Sequence, residues 1–576
     1  MKRTYSKLLL FALAAGVTFT ADAQTSEKTT TPNGWHLRDR TQDGYYGISL
    51  DKAYHFLQGK KSKTVVVAVI DSGIDTTHED LRPVLWTNPN EIPGNGIDDD
   101  KNGYVDDIHG WNFLGGKDGR NVTEDSYEGV RFYWKHKARF ENADSTTLSG
   151  ADLADYRIWL RAKSDLVGKV DKEEVEGYRQ MLPVVQMYDS LLRKAVGRDE
   201  YTASDLRKLR TDNGMVRQAK GAFSQIFAGN DSVEYISNKM LLEYIEGKVR
   251  MAEWVEAPPK NYRGDVTGDN EDDINDRSYG NNDVMATTPL HGTHVSGIIA
   301  AVRNNGKGID GIADNVRIMS LRAVPDGDEH DKDIALAIRY AADNGAQVIN
   351  MSFGKAVSPQ KRFIDEAVRY AQSKGVLLVQ AAGNSHENID TARNFPKPEF
   401  LNGTRAQSWI VVDASGDPKN GGLAADFSNY GTKSTDLFAP GKNIYSTLPG
   451  GDVYGNLSGT SMASPVTAGI AALVRSYYPN LNAVQVKYVL ENSVVKPTIT
   501  TPKPGGEEPV TLDKLSRTGG IVNAYEAVKL ADAVSSGRVK VKVEDNKIKV
   551  KDDKGKTKTK TEGNKTKVKK EPVKTF

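Results

Sequence analysis

The stretch that most constrains this chain is Thr64-Val65-Val66-Val67-Ala68-Val69-Ile70, an unbroken and largely β-branched apolar run. A strand with one wet face would alternate apolar and polar residues. This run does not, which predicts a strand buried on both faces, as in a parallel sheet covered by helices on each side. The same texture returns at Val316 to Ala323, Gln347 to Met351, Val376 to Gln380 and Trp409 to Val412. Between several of these lie helical stretches. Over Asp331 to Asn344, Ile334, Ala337, Ile338 and Ala341 share one face, and Asn344-Gly345 marks the stop. Strands alternating with helices predict an α/β fold, a doubly wound and mostly parallel sheet flanked by helices.

Around that frame the composition changes. Lys2, Arg3 and Lys7 precede the apolar run Leu8 to Phe19, and Ala21-Asp22-Ala23 offers a small-x-small cleavage pattern. Residues 1–23 are therefore predicted to be a signal peptide, too short to span a bilayer stably, and the protein to be exported. Its destination would be the periplasm, the cell surface or the medium, with no transmembrane segment. Residues 24–63 read as a packed lead-in rich in aromatics (Trp35, Tyr45, Tyr46, Tyr54, Phe56), and the α/β domain as 64–535. Within it, 115–257 lacks buried-strand runs. Val184, Met187, Tyr188 and Leu191 recur at helical spacing there, and Thr202 with Asp205 marks a helix start, so this region is predicted to be a helical insertion. Residues 536–576 form a Lys-rich tail. From Arg538 to Phe576 there are 15 basic and 6 acidic residues, with a hairpin possible about Asp545-Asn546 and an anionic surface as its possible contact. The formal charge of the whole is +1, so no global field points to nucleic acid. The chain has no cysteine, which excludes disulfide scaffolds and thiol or thiolate-metal enzymes.

Three segments put a reactive residue type at a strand end or helix start. Val69-Ile70-Asp71-Ser72-Gly73 closes the buried strand on an aspartate, placed to accept a hydrogen bond from an imidazole. His291-Gly292-Thr293-His294-Val295-Ser296-Gly297 runs into the apolar stretch Ile298 to Val302. Ser458-Gly459-Thr460-Ser461-Met462-Ala463-Ser464-Pro465 runs into the helix-like Val466 to Tyr477. A serine at a helix N-terminus feels the positive end of the dipole, which favours negative charge developing beside it.

In the order Asp, His, Ser, these segments closely resemble the subtilisin-like serine proteases. The resemblance extends to Ala381-Ala382-Gly383-Asn384 and Ser352-Phe353-Gly354, and covers about Thr64 to Phe113 and Asp265 to Ala533. It makes 64–535 a peptidase domain and implies a serine endopeptidase that cuts protein or peptide substrates through an acyl-enzyme. By the same resemblance Ser461 is the nucleophile and His291 the general base and acid. Asp71 holds the imidazole tautomer, and Asn384, with the Ser461 backbone N–H, donates to the oxyanion. Ser352, Phe353, Gly354, Ala381, Ala382 and Gly383 are the implied substrate-binding segments. The reading from another class is a catalytically silent binding or adhesion protein on the same scaffold; the complete set of four groups weighs against it. His294 carries no zinc signature, and Asp75 reads as structural. One departure stands out: Asp71 and His291 are 220 residues apart, where the family usually has a few tens.

The acidic segments raise the question of metal. Asp98 to Asp107 reads D-x-D-x-N-G-x-x-D, with oxygen ligands at alternating positions before a glycine as in a calcium loop, and His109 where such a loop has a bidentate Glu. Asp98, Asp100, Asn102 and Asp106 are thus expected calcium ligands. The resemblance adds Asp80, completed by the loop at Asn304-Asn305. Asp265, Asp269, Asp272, Asp273, Asp276 and Asp283 follow the insertion. With acidic sets on both sides, structural calcium at the base of the insertion is the expectation, and no organic cofactor. In the family, the segment Pro325 to Asp331 borders the sites for residues upstream of the cut. Its carboxylates predict a preference for basic side chains two to four residues before that cut.

Overall fold

The computed structural model describes residues 31–168, 172–198, 201–228, 237–286, 289–544, 547–551 and 557–561. The predicted signal peptide and the Asp545-Asn546 turn lie outside the described residues. The run beginning at Thr64 forms strand β1 (Val65–Asp71), buried at every position but Val66. It pairs in parallel with β3 (Val316–Arg322) on one side and β4 (Val348–Met351) on the other. With β2 (Gly110–Asn112), β5 (Leu377–Ala381), β6 (Trp409–Ser415) and β7 (Leu437–Pro440), they make a seven-stranded sheet of order β2-β3-β1-β4-β5-β6-β7. All its pairings are parallel, as the fold class expected from sequence requires. From β1 the chain builds first to one side and then to the other, so β1 sits at a topological switch point. In such sheets ligands bind beyond the carboxyl ends of the strands there.

Alternate residues of β1 feed two cores. Val65, Val67 and Val69 join one cluster with the helices Leu290–Ala300, Thr460–Tyr477 and Ala524–Ser535. Ala68 and Ile70 join the other, with Asp331–Asp343 and Lys361–Ser373. The lead-in belongs to the first core. Leu50, Ala53 and Leu57 of the helix Leu50–Leu57 are buried in it, and the fully buried Trp35 donates its indole N–H to the carbonyls of Lys442 (3.0 Å) and Asn443 (3.1 Å). At the other end of the chain, Lys540–Glu544, Lys547–Lys551 and Thr557–Thr561 pair antiparallel.

Between β2 and the helix Leu290–Ala300 the chain runs through Glu128–Phe140, Gly150–Gly168, Lys172–Val196, Ala203–Lys208, Gly214–Ala228 and Asn238–Glu256, all helical. Thr202 and Asp205 form a capping box, which starts Ala203–Lys208. Along Lys172–Val196 the buried stripe is Tyr178, Met181, Val185, Tyr188 and Leu192, whereas Met187 is exposed. The apolar stripe read from sequence is thus displaced by one residue, apart from Tyr188. Two apolar stripes lie side by side on this helix, and the neighbouring helices select one. The insertion has its own small cores, one around Phe223 and Ile245 and one around Phe140 and Trp159, where Trp159 stacks on Tyr133 at 5.7 Å.

Its base is pinned by ion pairs. Arg263 clamps Asp333 with two hydrogen bonds (2.6 and 2.9 Å) and also reaches Asp269 at 2.9 Å. Lys332 donates to the other oxygen of Asp269 at 2.6 Å. All four side chains are buried, and Arg263 lies over the ring of Tyr279. Buried charges are tolerated only when paired and hydrogen-bonded in this way. Arg263 and Lys332 thus neutralise Asp269, one of the six aspartates beside which calcium was expected. Nearby, Asp265 pairs with Arg120 and Asp272 with Lys135, while Asp273, Asp276 and Asp283 accept backbone N–H groups.

Candidate active site

Asp71 ends β1, and its own carbonyl is held by the N–H groups of Ala323 (3.0 Å) and Val324 (3.3 Å). His291 sits in the first turn of Leu290–Ala300, and its Nδ1 lies 2.7 Å from Asp71 Oδ1. That approach depends on Gly292, where a Cβ would come within 2.2 Å of the Gly73 carbonyl oxygen. The aspartate is buried and the imidazole about a third exposed, so the pair has a fixed inner end and an accessible outer one. Asp75, four residues on, accepts from Thr77, Gly450 and Gly451, and ties the turn between β8 (Ile444–Leu448) and β9 (Val453–Leu457) to the end of β1. His294 is fully buried beside the Gly455 carbonyl at 3.2 Å; burial pushes its pKa down to about 3, so it is neutral.

Ser461 lies in the first turn of Thr460–Tyr477. Its hydroxyl donates to the Ser352 carbonyl at 3.1 Å, and the Ser352 hydroxyl donates to the Ser461 carbonyl at 2.9 Å. Ser352 also accepts from Asn350, which accepts from Ser464, so the helix start is laced to the end of β4. Phe353 packs against the second core, and a Cβ on Gly354 would come within 2.7 Å of Asn394 Oδ1 and 3.1 Å of the Phe395 carbonyl, so the two segments run close together.

Asn384 follows β5 through Ala381, Ala382 and Gly383. Gly383 takes φ +98°, and the side chains of Asn394 and Asn429 both hold the Ala382 carbonyl at 2.9 Å. Thr460 completes the turn. Its N–H and hydroxyl both donate to Asn384 Oδ1 at 2.9 Å, and its hydroxyl accepts from Gly383 N–H at 3.0 Å. With Oδ1 committed, Asn384 presents Nδ2 to the cleft. The point a Cβ on Gly459 would occupy is 3.4 Å from Asn384 Nδ2 and 3.5 Å from the Ser461 backbone N, so both donors border one small space. Two N–H groups at a helix N-terminus around one space form an anion-stabilising arrangement. The reading of the sequence did not single out Thr460, although it directly precedes Ser461.

The metal candidates are gathered only in part. Glu91, Asp100 and Asp107 bring carboxylate oxygens within 4.8 Å of one another. Asn102 joins them through its amide, which donates to Asp100 (3.2 Å) and Asp107 (2.9 Å). Asp98 turns instead to the N–H groups of Asn102 and Gly103, and Asp106 to those of Gly94, Asn95 and Gly96. Asp80 is buried elsewhere, accepting from the Asn305 amide at 2.5 Å and the Tyr454 hydroxyl at 2.8 Å.

Part of the acidic segment after β3 is tied up within the protein. Asp331 pairs with Lys355 at 3.0 Å. Asp328 accepts from the Glu128 N–H at 2.9 Å, and its carbonyl accepts from Arg131. Burial pushes the Glu329 carboxyl up to about 8, which leaves it mostly neutral at pH 7. Asp326 and Asp328 remain in the lining of the cavity that opens from Ser461.

Residues 62–508 match the model of the Subtilase family. The chain is 39% identical over 244 residues to the thermophilic serine proteinase of Bacillus sp. (strain AK1), a stretch that is 41% of this chain and 52% of that protein. To thermitase of Thermoactinomyces vulgaris it is 38% identical over 245 residues, 42% of this chain and 75% of that one. To the cell wall-associated protease of Bacillus subtilis (strain 168) the figures are 34% over 287 residues, 48% and 30%. The chain thus spans about half the length of the AK1 relative. A family match running from before β1 to beyond the Ser461 helix, on the parallel sheet described above, makes the chain a member of the subtilase family.

Proposed function

We propose that this protein is an exported serine endopeptidase that hydrolyses peptide bonds of protein or peptide substrates through an acyl-enzyme on Ser461. The observation that carries this reading is the 2.7 Å contact of Asp71 with His291 Nδ1 at the switch point of the sheet. Ser461 Oγ leaves its resting acceptor, the Ser352 carbonyl, gives its proton to His291 and attacks the scissile carbonyl carbon. Asp71 accepts from Nδ1–H throughout, which stabilises the imidazolium without taking its proton. Asn384 Nδ2 and the Ser461 N–H receive the oxyanion, and the helix dipole adds to them. His291 then protonates the leaving amine. A water, deprotonated by His291, attacks the ester carbon; the bond to Oγ breaks, His291 returns the proton to Ser461 Oγ, and the acid leaves.

Structural calcium belongs to the same reading. Glu91, Asp100 and Asp107 offer the hard oxygen donors that calcium takes. Burial, with Asp100 adding to it, pushes the Asp107 carboxyl up to about 6. These residues fit the ion and would hold it as a brace away from the chemistry.

Export rests on the charged and apolar pattern of residues 1–23; no helix among the described residues is long and apolar enough to cross a membrane. Contact of the Lys-rich tail with an anionic surface rests on its charge alone. The test of the central reading is covalent. A fluorophosphonate probe should label the wild-type protein and not Ser461→Ala, and labelling of both would remove Ser461 from its role.

A further inference from the structure

A cavity of about 860 Å³ opens from Ser461 and Asn384, and two core segments line it, Asp326 to Asp328 and Ser352 to Val357. The insertion completes the lining with apolar and charged side chains together, Met251 and Trp254 beside Lys248 and Arg250. It is fastened to both core segments. Asp125 N–H donates to the Asp326 carbonyl at 2.7 Å, and Asp326 N–H to the Thr123 carbonyl at 2.9 Å. The two chains press together there, since a Cβ on Gly327 would come within 2.1 Å of the Asp125 carbonyl oxygen. On the other segment the buried Lys355 reaches Glu128 of the insertion at 2.9 Å.

One side chain of the core ties both ends of the insertion at this place. His330, directly before the helix Asp331–Asp343, is buried. Its Nε2 lies 3.0 Å from Asp125, near the start of the insertion, and its Nδ1 3.2 Å from Glu271, just after its end. An imidazole donates from both nitrogens only as the cation. Around the ring the buried charges balance, with Asp125, Glu128 and Asp331 set against Arg131, Lys355 and His330. Lys135 serves Glu271, and Arg263 serves Asp333 and Asp269. Of these cations His330 alone is of a type that loses its charge near neutral pH. Asp328 and Glu329, beside it in the chain, are held towards the neutral acid by burial and gain negative charge as pH rises. A second cavity, of about 490 Å³, has Asp125, Glu271 and His330 in its lining and gives protons a way to the ring.

We infer that His330 is a positioning residue for the peptidase: its charge holds Asp125, and with it the Asp326 to Asp328 side of the cleft, against the insertion, so that the grip on substrate residues upstream of the cut weakens when the imidazole loses its proton. The inference rests on the peptidase reading above, in which that segment borders the sites for those residues. Deprotonated, the ring has one N–H for two carboxylates and turns a lone pair to the other. Glu271 is 41% exposed and can turn to water, but Asp125 is 3% exposed and keeps its charge in the interior. The joint then carries one buried negative charge in excess, which is costly, and the contact of Asp125 with Asp326 loosens. Lys355 still holds the other segment, so the two sides of the cleft part company.

The test compares two substrates that end in the same chromogenic anilide, one a blocked single residue and one with that residue preceded by several others. Both use Ser461 and His291, so titration of the catalytic pair cancels in the ratio of their kcat/KM. In the wild type that ratio, long over short, should fall about tenfold between about pH 6 and 9, the scale of one charge-assisted hydrogen bond, and should do so through KM of the long substrate. His330→Gln should start low and lose most of the slope. Asp125→Asn keeps the N–H for Asp326 but not the charge that His330 answers, and should flatten the slope too. Glu329→Gln should keep the part due to His330. A second readout needs no catalysis. Hydrogen-exchange protection of the Asp125 and Asp326 amides, corrected for the intrinsic rate, should fall over the same range in the wild type and stay level in His330→Gln. A ratio and a protection that do not change with pH in the wild type, or slopes unmoved in both His330→Gln and Asp125→Asn, would overturn the positioning role. Loss of fluorophosphonate labelling would strike the peptidase reading, and the exchange measurement would still decide whether His330 holds the joint.

Discussion

The two walls of the cleft are held in place by different physics. The core wall grows from a sheet whose strands are buried on both faces, and apolar contact supplies its rigidity. The insertion's wall has small aromatic cores of its own, and its joint with the sheet is a set of buried ion pairs: Arg263 with Asp333 and Asp269, Lys332 with Asp269, Lys355 with Glu128 and Asp331. Apolar burial is non-directional and indifferent to pH. A buried ion pair is directional, costly to half-remove and sensitive to protonation. The same cleft should therefore answer to two sets of perturbations, one that stops the chemistry and one that loosens the wall.

The largest effect expected is on the core side and leaves the fold alone. Ser461→Ala or His291→Ala should each lower kcat by about 10⁶-fold, as groups acting as one unit do, with the melting temperature unchanged. Asn384→Ala should cost about 10²–10³ in kcat with KM little altered, because its donor acts mainly on the oxyanion. Steady-state kinetics beside thermal melts checks both. A large fall in melting temperature for either alanine variant at the catalytic pair would show that the core is not rigid without them.

On the insertion side the largest effect is on stability. Arg263→Met leaves Asp333 and Asp269 buried with one counter-charge fewer, at a cost of about 3–5 kcal/mol. Limited proteolysis should then cut within 115–257 while the Ser461 helix stays protected. Loss of the whole fold at once, with no earlier cleavage in the insertion, would erase the distinction between the walls.

That distinction also decides what was legible in the sequence. Strands β1, β3, β4, β5 and β6 announce themselves because continuous apolar runs suit only a doubly covered sheet. Strands β2 and β7, of three and four residues, are too short to carry a pattern. Asp71 and His291 come together across 220 residues, which only the family resemblance brought into one site. The joint was illegible for the same reason without such help. Nothing local tells that Asp333 meets Arg263, 70 positions earlier, or that Tyr340 hydrogen-bonds Asp107, 233 positions earlier. An aspartate that binds a cation and one that binds an arginine look alike until the partner is known.

A smaller effect separates the walls by pH. His330 is buried at the joint with Nε2 3.0 Å from Asp125 and Nδ1 3.2 Å from Glu271; Arg131 pairs with Asp125, Lys135 with Glu271, and Arg263 lies beyond. Burial and Arg131 push its pKa down, but the hydrogen bonds to the two carboxylates prevail and the net shift is upward from 6.5. A raised folded pKa means that this stabilisation is complete below 6.5 and is lost as pH rises through the folded value. Glu329, pushed up to about 8 by burial, gives stability the same downward trend between 4.5 and 8. Glu271, brought down to about 2 chiefly by its bond to His330, acts at the acid end, and its contribution fades as pH falls from 4.5 towards 2. Losing one charge-assisted hydrogen bond at His330 costs about 1.5–3 kcal/mol. Melting temperature and proteolysis of the insertion should both worsen from pH 6 to 9, and His330→Gln should flatten the slope while leaving the part due to Glu329. An unchanged slope would place the titration elsewhere.

The smallest effect concerns calcium, whose proposed site would lie on the core side of the joint. The cluster of Glu91, Asp100 and Asp107 is fastened to the core: Asp107 accepts from Asn88 at 2.7 Å and from Tyr340 of the helix Asp331–Asp343. The insertion's base has Arg263 and Lys332 where an ion had been expected. Binding to the folded state alone, at ten times Kd, adds about 1.4 kcal/mol. Chelation should therefore lower the melting temperature slightly and open the exposed loop around Lys101 to trypsin, with no new cleavage inside 115–257. Calcium should restore both better than magnesium, which demands a tighter octahedron than a carboxylate cluster on a loop provides. Asp100→Asn should weaken the response more than Asp98→Asn, whose oxygens already serve Asn102 and Gly103. If chelation exposes the insertion first, calcium sits at its base after all, and the contrast between an apolar core wall and an ion-paired insertion wall fails at that point. If melting curves in chelator and in millimolar calcium coincide, the loop is acidic for other reasons and the ion leaves the account.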